Sequence, residues 1–182
     1  MNANSESIPE TRAEPEGAAS FDFEAVFRVQ YVRVSKVIAR VVGDPAKAEE
    51  IAAEVLWKFS RTPRAQGPNA GGWLYRAATR MGLDELRKQL RREKYERLFD
   101  WIPITRTPEE VHFENEDQRR VRAILSRMKE RQAQLLILRS EGLIYEEIAS
   151  ALNLNPASIG TLLRRAEELF RREYVRRYGK HR

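Results

Sequence analysis

The chain has 182 residues, room for one domain or two small ones, and its 33 Lys plus Arg against 27 Asp plus Glu leave a net charge of +6 that favours an anionic partner. With no cysteine, disulfide scaffolds, thiol nucleophiles and cysteine zinc sites are excluded; two histidines, His112 and His181, are too few and too far apart for a metal cage, so neither metal nor cofactor is expected. The N-terminus has no basic stretch followed by an apolar one, and no run approaches about eighteen apolar residues, which predicts a cytoplasmic chain without membrane insertion.

Residues 1–20, with Pro9, Pro15, Gly17 and scattered Glu, hold too little apolar content to offset ordering entropy and are expected to form a disordered tail. Phe23, Val26, Phe27, Gln30, Tyr31, Val34, Val37 and Ile38 then recur at three- and four-residue steps, the spacing of one helix face, in a helix running toward Gly43. Asp44-Pro45 caps the next helix with proline in its first turn, and Ile51, Ala52, Val55, Leu56 and Phe59 form its apolar stripe. Glu49, Glu50, Glu54 and Lys58 fall elsewhere on its surface. Pro63 to Gly72 reads as a loop, with a long helix starting near Trp73.

In that third helix Arg76, Arg80, Arg87 and Arg91 fall within an arc of about 60° at 100° per residue. A solvated face that only keeps the helix soluble is the competing reading. The balance tips toward phosphate binding because residues 61–97 hold ten basic side chains against four acidic ones, and each neutralised phosphate releases counterions. Residues 98–117 reverse the sign, with one basic and six acidic residues, and with Pro103 and Pro108 they read as a linker. Residues 118–182 are basic again, fifteen against seven.

Beyond the linker, Val121, Ile124, Leu125 and Met128 predict a short amphipathic helix, and Ala133, Leu135, Leu136 and Leu138 a second that closes at Glu141-Gly142. Tyr145 to Leu152 reads as a short helix, Asn153-Leu154-Asn155 as a turn, and Pro156 to Arg172 as a longer helix. That is the spacing of a helix-turn-helix. Ala149 is small at the crossing, Asn153 tolerates a left-handed conformation, and Ile148, Leu154, Ile159 and Leu162 are expected to share the core. Asn155, Ala157, Ser158, Gly160, Thr161, Arg164 and Arg165 are left outward, a polar and basic face suited to a major groove; a purely structural helical hairpin is the alternative.

Taken in order, these motifs resemble the extracytoplasmic-function class of bacterial sigma-70 RNA polymerase sigma factors, over about residues 21–178. Ala48-Glu49-Glu50-Ile51 with Glu54-Val55-Leu56 resembles that family's region 2.2. Trp73-Leu74-Tyr75-Arg76 followed by Asp84-Glu85-Leu86-Arg87-Lys88 resembles region 2.4. Glu141-Gly142-Leu143-Ile144-Tyr145-Glu146-Glu147-Ile148-Ala149, with Ser158-Ile159 and Arg165-Ala166, resembles region 4.2. The resemblance implies an all-α fold of two small helical domains: residues 21–97 as region 2, 98–117 as acidic linker, 118–178 as region 4, and 179–182 as a tail.

Glu49, Glu50, Glu54 and Lys58 would then face core RNA polymerase. Asn69 in the loop 61–72, with Arg76, Arg80, Arg87 and Arg91, would engage the minus-ten element of promoter DNA, while Ser158, Thr161, Arg164 and Arg165 would meet the minus-thirty-five element. The linker would follow the basic RNA path of the polymerase. Family members often have an anti-sigma partner, an expectation that no residue here carries. The chain departs from the family pattern at Ala53, usually Gln, at Leu56, usually aromatic, in a loop 61–72 without an aromatic, and at Gly160 and Leu162, where basic residues are common. Promoter preference should therefore be unusual. No Gly-rich phosphate loop or Gly-x-Ser-x-Gly elbow is present, so the chain is not expected to be an enzyme. Two other functions fit parts of the pattern: a stand-alone helix-turn-helix regulator and a non-specific nucleic-acid-binding helical adaptor.

Overall fold

The computed structural model describes residues 22–98 and 116–179, and Arg97 and Leu98 by backbone alone. The expected tail 1–20, most of the linker and residues 180–182 lie outside the described residues. Seven α-helices occur among the described residues, with no strand: α1 (Phe23–Val42), α2 (Pro45–Ser60), α3 (Ala70–Leu98), α4 (Glu116–Leu125), α5 (Glu130–Ser140), α6 (Tyr145–Leu152) and α7 (Pro156–Tyr178).

Each boundary has a local cause. The Asp22 carboxylate accepts a hydrogen bond from the Ala25 N–H at 3.0 Å and starts α1. Gly43, at φ 80°, ends it and returns its N–H to the Ala39 carbonyl. One residue later Asp44 caps α2 by accepting from the Lys47 N–H, with Pro45 in the first turn. The short α1–α2 connection makes the helices antiparallel neighbours, and α3 packs against both. Val34, Val37, Ile38 and Val41 of α1 meet Ile51, Val55, Leu56 and Phe59 of α2 and Leu74, Ala78, Leu83 and Leu86 of α3 in one core, all at most 6% exposed. The Phe59 and Trp73 rings lie 5.6 Å apart.

The stretch read as loop is shorter than expected. Pro63–Ala65 makes one 3-10 turn, and α3 begins at Ala70 rather than near Trp73, because the Asn69 carbonyl already accepts the Trp73 N–H at 3.0 Å. At the linker's far end Glu116 and Asp117 already belong to α4. That helix ends at Leu125, and the buried Met128 belongs to the turn after it.

The helix-turn-helix forms from α6 and α7. Asn153 takes φ 54° and ψ 55°, the left-handed turn its small polar side chain tolerates. Asn155 then caps α7 through the Ala157 N–H at 3.0 Å, and Pro156 opens the helix. Ile148, Ala149, Leu152, Ile159 and Leu163 pack at the crossing. Leu163, not Leu162, is the fully buried member: the buried face of α7 steps four residues from Ile159 to Leu163 and three more to Ala166, which leaves Leu154 and Leu162 at the margin.

The helices after the linker do not stand apart from those before it. Ile124, Leu125, Met128, Ala133, Ile137 and Ala166 share the apolar cluster of α1–α3, and α3 packs against α4, α5 and α6. No helix among the described residues is long and apolar enough to cross a membrane.

Candidate nucleic-acid interface

Three surfaces carry the residues singled out in the sequence. The first is the outward side of α2, opposite its buried stripe. Glu49, Glu50, Glu54 and Lys58 are all exposed. Lys58 pairs with Glu54 at 2.6 Å, and Lys47 donates to Glu50 at 2.5 Å; that hydrogen bond, with the Glu50 charge behind it, raises the Lys47 pKa above its ordinary value. At 100° per residue Glu50, Glu54, Trp57 and Arg61 span an arc of about 60°, with Glu49 and Lys58 on its two flanks. Trp57 is 56% exposed there, with the Arg61 guanidinium 4.8 Å from its ring centroid. Sequence reasoning passed over Trp57, although the signal was present: it is a large apolar residue on the side of α2 opposite the apolar stripe. An exposed tryptophan inside a ring of charges is the composition of an interface anchor.

The second surface is the basic side of α3. Arg76, Arg80 and Arg87 do share one side of the helix, but α4, α5 and α6 occupy that side. Arg87, expected outward, keeps only 25% of its side chain exposed. Its Nε donates to the Ser126 carbonyl at 3.1 Å and another guanidinium nitrogen to the Met128 carbonyl at 3.3 Å. The Ser126 and Met128 carbonyls belong to the turn that follows α4, outside its helical ladder, and accept the guanidinium in place of a backbone N–H. Arg80 approaches Glu130 at 3.9 Å and remains mostly exposed. Arg76 is half-buried beside Glu130, Arg131, Gln134, Leu152 and Asn153. Arg91 is exposed, at the edge of a 630 Å³ cleft shared with Lys94, Ser126 and Arg127. Asn69 uses its side-chain amide on α6, donating to the Ser150 carbonyl at 3.0 Å while the Ser150 hydroxyl donates back to its Oδ1 at 2.6 Å.

The third surface is the front of α7, and it is open. Ser158, Thr161, Arg164 and Arg165 are exposed. Ser158, Thr161 and Arg165 share an arc of about 60°, whereas Arg164 lies about 120° from Ser158 and pairs with Glu168 at 2.6 Å. Arg172, seven residues beyond Arg165 and exposed, continues the front stripe, a continuation that the sequence reading did not pick out. Gly160 differs from its expected outward placement: a Cβ there would lie 3.5 Å from the Tyr145 ring, so its close approach serves α6–α7 packing.

Residues 27–92 match the family model for sigma-70 region 2, and residues 118–169 match that for sigma-70 region 4. Together the two matched stretches span well over half of the chain. The chain is similar to the ECF RNA polymerase sigma factor SigE of Mycolicibacterium smegmatis, 25% identical over 181 residues, covering 91% of this chain and 70% of the relative. It is also similar to the ECF RNA polymerase sigma factor SigK of Mycolicibacterium vanbaalenii, 27% identical over 150 residues, covering 78% of this chain and 76% of the relative.

Proposed function

The chain belongs to the sigma-70 family, in its extracytoplasmic-function class, and is a sigma factor that directs transcription initiation; from that premise we propose how its surfaces divide the work. The α2 face docks on core polymerase, with Trp57 as anchor and Glu50 and Glu54 opposite basic residues of the enzyme. The loop before α3, with Asn69, and the arginines of α3 engage the minus-ten element and help to open it. The front of α7 reads the minus-thirty-five element in the major groove. Ser158 and Thr161, in its first two turns, reach base edges or the nearest phosphates, and Arg165 holds the backbone. The acidic residues 98–117 follow the basic path that the polymerase provides for RNA. The chain contributes no catalytic group of its own and works in the cytoplasm, where the polymerase is.

The observation that carries this reading is the open Ser158/Thr161/Arg165 stripe at the start of a helix-turn-helix, in a chain that also presents the acidic, tryptophan-centred face of α2. Mobility-shift experiments on duplex promoter DNA test it. The chain should shift the duplex only together with core polymerase. Tight, sequence-specific binding by the chain alone would mark a stand-alone regulator, and sequence-independent binding with a steep salt slope would mark a non-specific adaptor.

A further inference from the structure

We propose that the Tyr145 hydroxyl, seated against Gly160 of α7, grips a phosphate of the minus-thirty-five duplex on the flank of α7 where that helix itself offers no side chain. The proposal deepens the assignment of α7 to that element and rests on it.

A helix about 10–12 Å across nearly fills a major groove about 12 Å wide, so when its front meets base edges its two flanks run along the phosphate walls. At 100° per residue Ser158 lies about 60° to one side of Thr161 and Gly160 about 100° to the other, with Arg164 one turn further along the Gly160 side. Gly160 is only about 3 Å beyond Ser158 along the axis, level with the residues that read bases. Tyr145 of α6 stands in the gap that Gly160 leaves: a Cβ at position 160 would lie 3.5 Å from its ring carbon Cε2 and 3.9 Å from its hydroxyl oxygen. The ring is also held from α5. Arg139 sets its guanidinium 5.6 Å from the ring centroid and donates to the Leu143 carbonyl at 3.1 Å. Tyr145 nonetheless remains 42% exposed.

A tyrosine suits this place because its apolar body packs against the helix while its polar tip stays available. Among the described residues no group accepts a hydrogen bond from the Tyr145 hydroxyl, which leaves its proton for water or for a phosphate oxygen. Glu146 and Glu147 follow on α6 but lie about 100° and 160° round that helix from Tyr145, and Glu147 turns its carboxylate back to the Ile144 N–H at 2.9 Å. A hydroxyl donates to a phosphate without neutralising it, so this contact adds affinity and fixes the helix in the groove without releasing counterions. A lysine in the same place would add a released counterion as well. Salt dependence therefore tells the two kinds of grip apart.

Titration of holoenzyme on promoters with a minus-thirty-five element, at several salt concentrations, tests this. Tyr145→Phe keeps the ring and its packing and removes only the hydroxyl. It should weaken binding about tenfold on all such promoters alike, with the slope of log affinity against log salt unchanged. Tyr145→Ala combined with Gly160→Lys exchanges the uncharged grip for a charged one. At low salt it should bind about tenfold more tightly than Tyr145→Ala alone, and its slope should be steeper than the parent's by about 0.9. Tyr145→Phe binding as tightly as the parent, a flatter slope for Tyr145→Phe, or a double variant with the parent's slope would each overturn the proposal. A parent holoenzyme that binds promoters with and without the minus-thirty-five element alike would instead overturn the assignment of α7 on which the proposal rests.

Discussion

Two substitutions on α7 separate sequence reading from anchoring. At 1.5 Å of rise per residue, Thr161 lies about 4.5 Å and Arg165 about 10 Å along the axis from Ser158, all on one exposed arc. A helix entering the major groove by its N-terminus therefore brings Thr161 to base edges and leaves Arg165 level with the backbone. Thr161→Ala removes one hydroxyl contact and should change the preferred base at one or two positions of the minus-thirty-five element, at a cost of about 1–3 kcal/mol, roughly 5- to 150-fold, for the cognate sequence. Arg165→Ala removes one phosphate contact. It should weaken all upstream sequences alike and flatten the slope of log affinity against log salt by about 0.9. Between 50 and 200 mM salt that change of slope is worth a factor of about 3.5, so the deficit of Arg165→Ala should shrink by that factor as salt rises. The assay is binding-site selection followed by titration of holoenzyme on the selected promoters at several salt concentrations. A selection in which Arg165→Ala changes base preference while Thr161→Ala leaves it intact would refute this placement of α7 in the groove.

Arg80→Ala combined with Arg87→Ala should slow promoter opening more than it weakens polymerase binding, measured by permanganate footprinting beside a pull-down; equal melting rates for variant and parent would contradict it. Glu50→Lys with Glu54→Lys should raise the dissociation constant for core polymerase. Trp57→Ala should raise it further, by about 2 kcal/mol or roughly thirtyfold if the ring is the anchor, and fluorescence titration against labelled core distinguishes the three proteins. Phe59→Ala empties the centre of the α1–α3 core, where Phe59 is 0% exposed, and should destabilise the fold by about 3–5 kcal/mol in thermal or denaturant unfolding.

Features that repeat along one helix were legible in the sequence. The stripe Ile51, Ala52, Val55, Leu56 and Phe59 is buried as its spacing requires, because a straight helix turns a fixed angle per residue. Asn153 and the caps at Asp44 and Asn155 were legible for a similar reason: turn and cap chemistry is local. Phase was less secure where a face is broad, and Leu163 took the core place expected of Leu162. The fate of Arg87, Asn69 and Gly160 was not legible. Their partners, Ser126 and Met128, Ser150, and Tyr145, are set by which helix lies alongside, and no periodicity within a helix encodes its neighbour. Thr79 and Gln134 show this most clearly: the Thr79 hydroxyl donates to the Tyr75 carbonyl within α3, but the hydrogen bond it accepts comes from Gln134, 55 positions away on α5.

Multiple-round transcription on a library of promoters, with core polymerase alone and with the chain added, tests the central claim most directly. The chain should confer start sites at a defined set of promoters that share spaced minus-thirty-five and minus-ten elements, and those transcripts should vanish when Glu50→Lys and Glu54→Lys are introduced together with Trp57→Ala. Start sites indifferent to the added chain, or promoter-specific binding that persists with no polymerase present, would contradict it.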